Sequence, residues 1–225
     1  MPATVEVQEL LKDPDNIEIV RDQIAGILAL ELLHQNELAQ ADPDLPAKED
    51  YNVHVYIEND EPWAVQDENN PFPAVNVSFD NYKIDTDDGS NDRIVLGTYF
   101  IDCYAAGNYD GEGFAGRVAK IKSMKIARFV RNILQAANYR YLKLRGVVNS
   151  QHIAKCESGA VKDENGAVKV GVQRIVLEAE FHENSPQVES DVLEAMGFTC
   201  NSTSGEILLN LLEKYIDEEE ASNGS

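Results

Sequence analysis

Gly111-Glu112-Gly113-Phe114-Ala115-Gly116 has the G-x-G-x-x-G spacing of a loop that cradles a pyrophosphate. The chemistry would be carried by the backbone. Glycines let main-chain amides approach the phosphates, and the helix that follows adds the positive end of its dipole. The segment follows a predicted strand and opens a predicted helix, as such a loop requires. Against this, the next acidic residue is Glu157, too far away to hold a ribose about 20 residues beyond the loop. The motif also lies mid-chain, after elements that read as an antiparallel meander. A plain glycine-rich strand-to-helix turn is the simpler account.

The other candidates are weaker. Asp85–Asp92 is rich in oxygen ligands, but an EF-hand loop needs a ligand five residues before its glycine. Counting back from Gly89 places Ile84 there, so a solvated hairpin turn is favoured. His34, His54, His152, His182, Cys103, Cys156 and Cys200 show no C-x-x-C or H-E-x-x-H spacing, so no zinc site is expected. No G-x-S-x-G or Walker-type loop occurs. Glu178 and Glu180 lie two residues apart in a predicted strand and share its solvent side. The expectation is a chain with no catalytic residues, no cofactor and no metal, that is, not an enzyme.

One signal remains. Between Glu112 and Glu157 there is no acidic residue, yet ten of the nineteen lysines and arginines fall there. The net charge of −21 is therefore a +10 island set in a −31 remainder. Most of this island lies on one predicted helix, about Phe114–Asn138. At 100° per residue, Val118, Ala119, Ile126, Phe129, Val130, Ile133 and Ala137 gather on one side and Arg117, Lys120, Lys125, Arg128 and Arg131 on the other. Lys122, Ile121 and Met124 fall near the boundaries. A solvated helix face is the ordinary reading of a charge run. But exposed helices mix signs, because opposite charges at i, i+4 stabilise them. Here an external partner is expected: acidic residues of this chain or a neighbour, or nucleic acid. The strong overall acidity argues against generic duplex binding.

Supporting elements follow from periodicity. Asp15 and Glu18 have capping-box spacing ahead of a helix to about Ala39, which Asp42-Pro43 ends. Tyr51, Val53, Val55 and Ile57 alternate as a half-buried strand. Residues 59–73, with Trp63, form a long polar loop and a candidate contact element. Val75, Val77 and Phe79 alternate and then shift phase to Tyr82 and Ile84, which predicts a bulge. Arg93–Ala105 is apolar on both faces and is read as the central strand. Asn165-Gly166 predicts a hairpin between strands near 152–161 and 167–182. Short helices are expected near 186–196 and from Thr203 to Ile216. This gives an α+β protein, a mainly antiparallel sheet flanked by two long helices. The boundaries are an arm at 1–14, one domain at 15–200, and a C-terminal helix with an acidic tail at 201–225. No membrane span or leader is apparent, and the scattered cysteines fit a reducing cytoplasm.

The segments RIVLGTYFIDCYAAGNYDGEGFAGRVAKIKSMKIARFVRNILQAANY and VKVGVQRIVLEAEFHENSP, in this order of elements, resemble the tail-completion or tail-terminator proteins of tailed bacteriophages. The likeness covers roughly residues 16–184 and rests on element order and texture. It implies a structural virion protein without catalytic residues, made in the host cytoplasm. Such a protein forms a homohexameric ring that caps the tail and meets tail-tube, sheath or head-tail connector proteins. DNA in the lumen would be contacted without sequence specificity. The long loop and the residues after Ser185 depart from the compact version of the family. Another neck, tail-tube or connector protein, or a nucleotide- or nucleic-acid-binding protein using 111–116 and the basic helix, stays open. The interface candidates are Arg117, Lys120, Lys125, Arg128, Arg131 and Trp63.

Overall fold

The computed structural model describes residues 14–59, 73–84, 93–107, 115–162 and 168–183. Helix α1 runs Asn16–Ala41. Its start is fixed by the expected capping box: Glu18 N donates to Asp15 Oδ1 at 2.9 Å and Asp15 N to Glu18 Oε2 at 3.2 Å. Two of the helix's unpaired amides are satisfied this way.

Among the described residues the sheet has five strands in the order β1-β2-β3-β5-β4: β1 His54–Ile57, β2 Ala74–Ile84, β3 Arg93–Ala106, β4 Val148–Lys162 and β5 Val168–Glu183. Arg93–Ala106 is central, as its two apolar faces predict. The phase change in β2 is a register shift between Phe79 and Asn81 opposite β3. β4 and β5 pair antiparallel as far as Lys162 opposite Val168, while Asn165-Gly166, where a hairpin turn is expected, lies outside the described residues.

The opening strands correct the expected meander. β1 and β2 pair in parallel while the other three pairings are antiparallel, so the sheet is mixed. Parallel neighbours need a crossover of about a dozen residues or more. The chain from 58 to 73 meets that need, which gives its length a topological reason. The strand also starts later than its alternation suggests, because Lys48–Tyr51 forms a 3₁₀ turn. Tyr51 leaves the sheet pattern to stack on Phe129 at 5.2 Å.

Helix α2 runs Ala115–Leu134. It stops short of the expected Asn138, and Ala137, expected on the buried side, is exposed in a second 3₁₀ turn, Ala137–Tyr139. Both helices lie on one face of the sheet instead of enclosing it. By register, Val75, Val77, Tyr99, Ile101, Ile175 and Leu177 share that face. They form one core with Ile24, Leu28 and Leu32 of α1 and Ile126, Val130 and Leu134 of α2. Tyr99 reaches from the sheet to α1, its hydroxyl donating to Ile17 O at 3.1 Å. α2 sits closest at Gly171, where a Cβ would fall 2.6 Å from the Ala119 carbonyl group. Only glycine admits so close a backbone approach.

The opposite face carries a charged pair that joins β3 to β5. Arg174 Nε and Nη2 donate to Asp102 Oδ1 and Oδ2 at 2.7 and 2.6 Å. The guanidinium lies over the Phe100 ring, 4.1 Å from its centroid. Tyr104 donates its hydroxyl to the same carboxylate at 3.3 Å. The carboxylate is nearly buried, and a bidentate guanidinium satisfies both oxygens.

Candidate interaction surface on the second helix

The placement of α2 follows from its buried residues. Ala119, Ser123, Ile126, Ala127, Val130 and Leu134 are buried toward β3 and β5. Ser123, polar yet fully buried, returns its hydroxyl to Lys120 O at 3.0 Å. The outer side is then set by helical spacing. Arg117, Ile121, Met124, Arg128 and Arg131 follow one another at alternating steps of four and three, so they line up along the axis. Lys120 lies beside them. Ile121 is 57% exposed and Met124 54%, so the stripe is an apolar centre between cationic ends.

The island's charges divide into two groups. On the flank, Lys122 and Lys125 share this chain's own Asp50, at 3.1 and 3.3 Å, one carboxylate between two ammonium groups. Lys125 also sits 4.3 Å from the Tyr51 ring centroid. Lys125 therefore differs from the other candidates: its charge is used to hold the 3₁₀ turn against α2. Arg117, Lys120, Arg128 and Arg131 are exposed and have no carboxylate within salt-bridge distance among the described residues. Arg117 and Lys120 stand in the first turns, where the helix dipole is positive and no acidic residue is present. That arrangement disfavours the helix and favours an anionic neighbour. Trp63 lies outside the described residues, as do Asp85–Asp92 and Gly111–Phe114.

The rest of the island continues past α2 on a tight turn. Leu142 and Lys143 adopt φ of 48° and 56°, and Gly146 adopts 94°. Leu142 and Leu144 are buried, while Arg140 and Arg145 lie over Tyr141 at 5.4 and 5.8 Å. Tyr139 donates its hydroxyl to Glu31 of α1, which anchors the turn to the first helix.

A second patch of opposite character lies on α1 and the loop after it. Leu38, 52% exposed, stands one turn before exposed Asp42 and next to exposed Glu37, with exposed Asp44 just beyond; Leu33, 42% exposed, comes five residues earlier and so lies about 140° round the helix. Sequence reading located the basic face but missed this patch, because a leucine in an apolar helix looks like core. It also missed Asp50 as the counter-ion, since a contact between residues 75 positions apart has no local signature. Among the described residues, no three His, Cys, Asp or Glu side chains cluster as a cation site, and no helix is long and apolar enough to cross a membrane. Glu178 and Glu180 do lie on one face, but each has a structural neighbour: His152 Nε2 is 3.3 Å from Glu178, and Asn149 donates to Glu180 at 3.3 Å.

A scan against protein-family models and a search of curated proteins found no match to this chain.

Proposed function

We propose that this chain is a non-enzymatic structural subunit that assembles with copies of itself into a closed ring. The resemblance in its sequence specifies the ring as the tail-terminator or tail-completion hexamer at the head-tail junction of a tailed phage. One observation carries the self-assembly: two unlike exposed patches on one body. Ile121 and Met124 sit between cations that are unpaired among the described residues, and Leu38 sits beside the exposed carboxylates Glu37 and Asp42. A ring needs a heterologous interface, in which one patch meets a different patch on the next copy. Complementary charge steers the approach and fixes the orientation, while apolar burial supplies affinity.

The element order of the fold agrees with the specific reading: a first helix, a sheet whose central strand leads toward a second helix, and a final long strand. The partners of such a ring would be tail-tube, sheath or connector proteins.

Native mass spectrometry and light scattering at about 50 and about 500 mM salt test the assembly, since surface charges are screened beyond roughly 10 Å at 0.1 M and less at higher salt. One closed stoichiometry is expected at low salt, weakened at high salt and by Arg128→Glu with Arg131→Glu. A strict monomer at every concentration overturns the ring. Binding to random single- or double-stranded DNA that falls steeply with salt, with no self-association, would move the basic face to the nucleic-acid reading.

A further inference from the structure

The stripe on α2, Ile121 and Met124 between cations, complements one amphipathic acidic segment, and the chain carries a sequence of that kind. Residues 206–220, EILLNLLEKYIDEEE, place Ile207, Leu208, Leu211, Leu212 and Ile216 at helical intervals. They also hold six carboxylates against one lysine. Helix-in-groove recognition reads such i, i+3, i+4 anchors.

We infer that residues 206–220 dock on the outer face of α2 of the same chain, antiparallel to it, and shield the surface that a neighbouring copy would otherwise take. This rests on reading α2 as a docking face, and it adds that the face is occupied before assembly. Three observations favour this occupant.

The first is charge. Arg117, Lys120, Arg128 and Arg131 are unpaired among the described residues, and 206–220 has a net charge of −5. The second is reach. α2 runs alongside β5 in the same direction: Ala119 lies at Gly171, and Leu134 O accepts from Gln151, which pairs with Ala179. β5 ends at Glu183, so the chain leaves the sheet near the C-terminal end of α2. The 22 residues from 184 to 205 have a contour limit of about 75 Å, well beyond the roughly 30 Å length of α2. A segment arriving there and running back along the helix brings Asp217–Glu220 to the end where Arg117, Lys120 and the positive dipole stand. From Glu206 to Ile216 is about 16 Å as a helix, against about 21 Å from Arg131 to Arg117. The third is tethering. An attached segment has an effective concentration of order millimolar, so its own α2 outcompetes another copy's at micromolar protein.

Carbodiimide cross-linking of the full chain tests this, on an equal mixture of ¹⁵N-labelled and unlabelled protein at a concentration where scattering shows monomer. Lys120 is expected to join Asp217–Glu220 in same-isotope products. Leu211→Asp with Leu212→Asp should reduce that yield at least about tenfold and lower the concentration needed for self-association. Absence of the cross-link overturns the inference, as do mixed-isotope products in equal yield, which would make a second copy the occupant. A chain that cross-links but never forms a ring refutes the ring reading alone. A chain that forms a ring without ever showing the cross-link refutes this inference alone.

Discussion

Replacing Gly171 with alanine tests whether α2, and with it the exposed stripe, is held by close backbone contact. A Cβ at Gly171 would sit 2.6 Å from Ala119 C and O and 2.8 Å from Lys120 N. Ordinary carbon contacts begin near 3.5 Å, so α2 would have to lift by about 1 Å. The obstacle is helix backbone, which cannot rotate away as a side chain can. Overpacking of this kind typically costs about 1–3 kcal/mol. Alanine in a strand recovers roughly 0.5–1 kcal/mol of backbone entropy relative to glycine. The net expectation is a loss of about 1–2 kcal/mol. Gly159 is the matched control: it pairs with Val172, next to Gly171, and its Cβ would meet Val172 Cβ at an ordinary 3.8 Å. Gly159→Ala should therefore be neutral or stabilise by up to about 1 kcal/mol. Urea unfolding with unchanged m reads the difference, about 2 kcal/mol, as opposite shifts of the midpoint. If Gly171→Ala is as stable as Gly159→Ala, the contact does not hold the helix and the argument fails.

Two further outcomes are expected. Arg174→Ala leaves the Asp102 carboxylate, only 4% exposed, without its cation. Because the Arg174 side chain is 40% exposed, the loss should be about 2–3 kcal/mol, between that of surface and buried pairs. Adding Asp102→Val should return part of it, since an apolar pair leaves no stranded charge; a double variant no more stable than the single one rules this out. Alkaline pH should also destabilise the fold. Burial, then Asp15, holds the Tyr99 phenol above its ordinary value, and burial, then Asp102, does the same for Tyr104 and the Cys103 thiol. The unfolded chain ionises these groups at about 8.5–10. Above that range it binds fewer protons than the folded chain, so stability is intact below it and declines as pH rises. The urea midpoint should hold from about pH 7 to about 8.5 and then fall, with a shallower fall in Tyr99→Phe. An identical slope in that variant would show that Tyr99 takes no part.

Local rules were legible in the sequence and long-range ones were not. The capping box at Asp15 and Glu18, the central strand and the bulge after Phe79 each follow from neighbours within a few residues, and each is present. The parallel pairing of β1 and β2 escaped because strand direction depends on how the intervening chain travels, and alternation is blind to it. Tyr51 fitted the strand pattern by spacing, yet its ring gains more from Phe129 and Lys125 than from a fourth place on a short edge strand. On α2, helical periodicity separated the basic side from the buried side. It could not tell which lysines Asp50 would claim. Ile121 and Met124 looked like boundary residues until the sheet fixed the helix's rotation and left them outward.

That rotation makes the electrostatic argument specific. Arg117 with Lys120 and Arg128 with Arg131 are like charges three residues apart, each pair disfavouring the helix by a few tenths of a kcal/mol. Arg117 adds the wrong sign at the dipole's positive end. The chain has forty acidic residues, yet among the described ones only Asp50 pairs with a cation of α2, and it is shared by the two flank lysines rather than offered to the stripe. The remaining field reaches about 8 Å into solvent at physiological ionic strength. It acts on whichever acidic surface arrives, while Ile121 and Met124 hold what has arrived by a term that salt does not screen. The two contributions are therefore separable. Added salt should slow association through this face far more than it speeds dissociation, whereas Ile121→Ser with Met124→Ser should act mainly on dissociation.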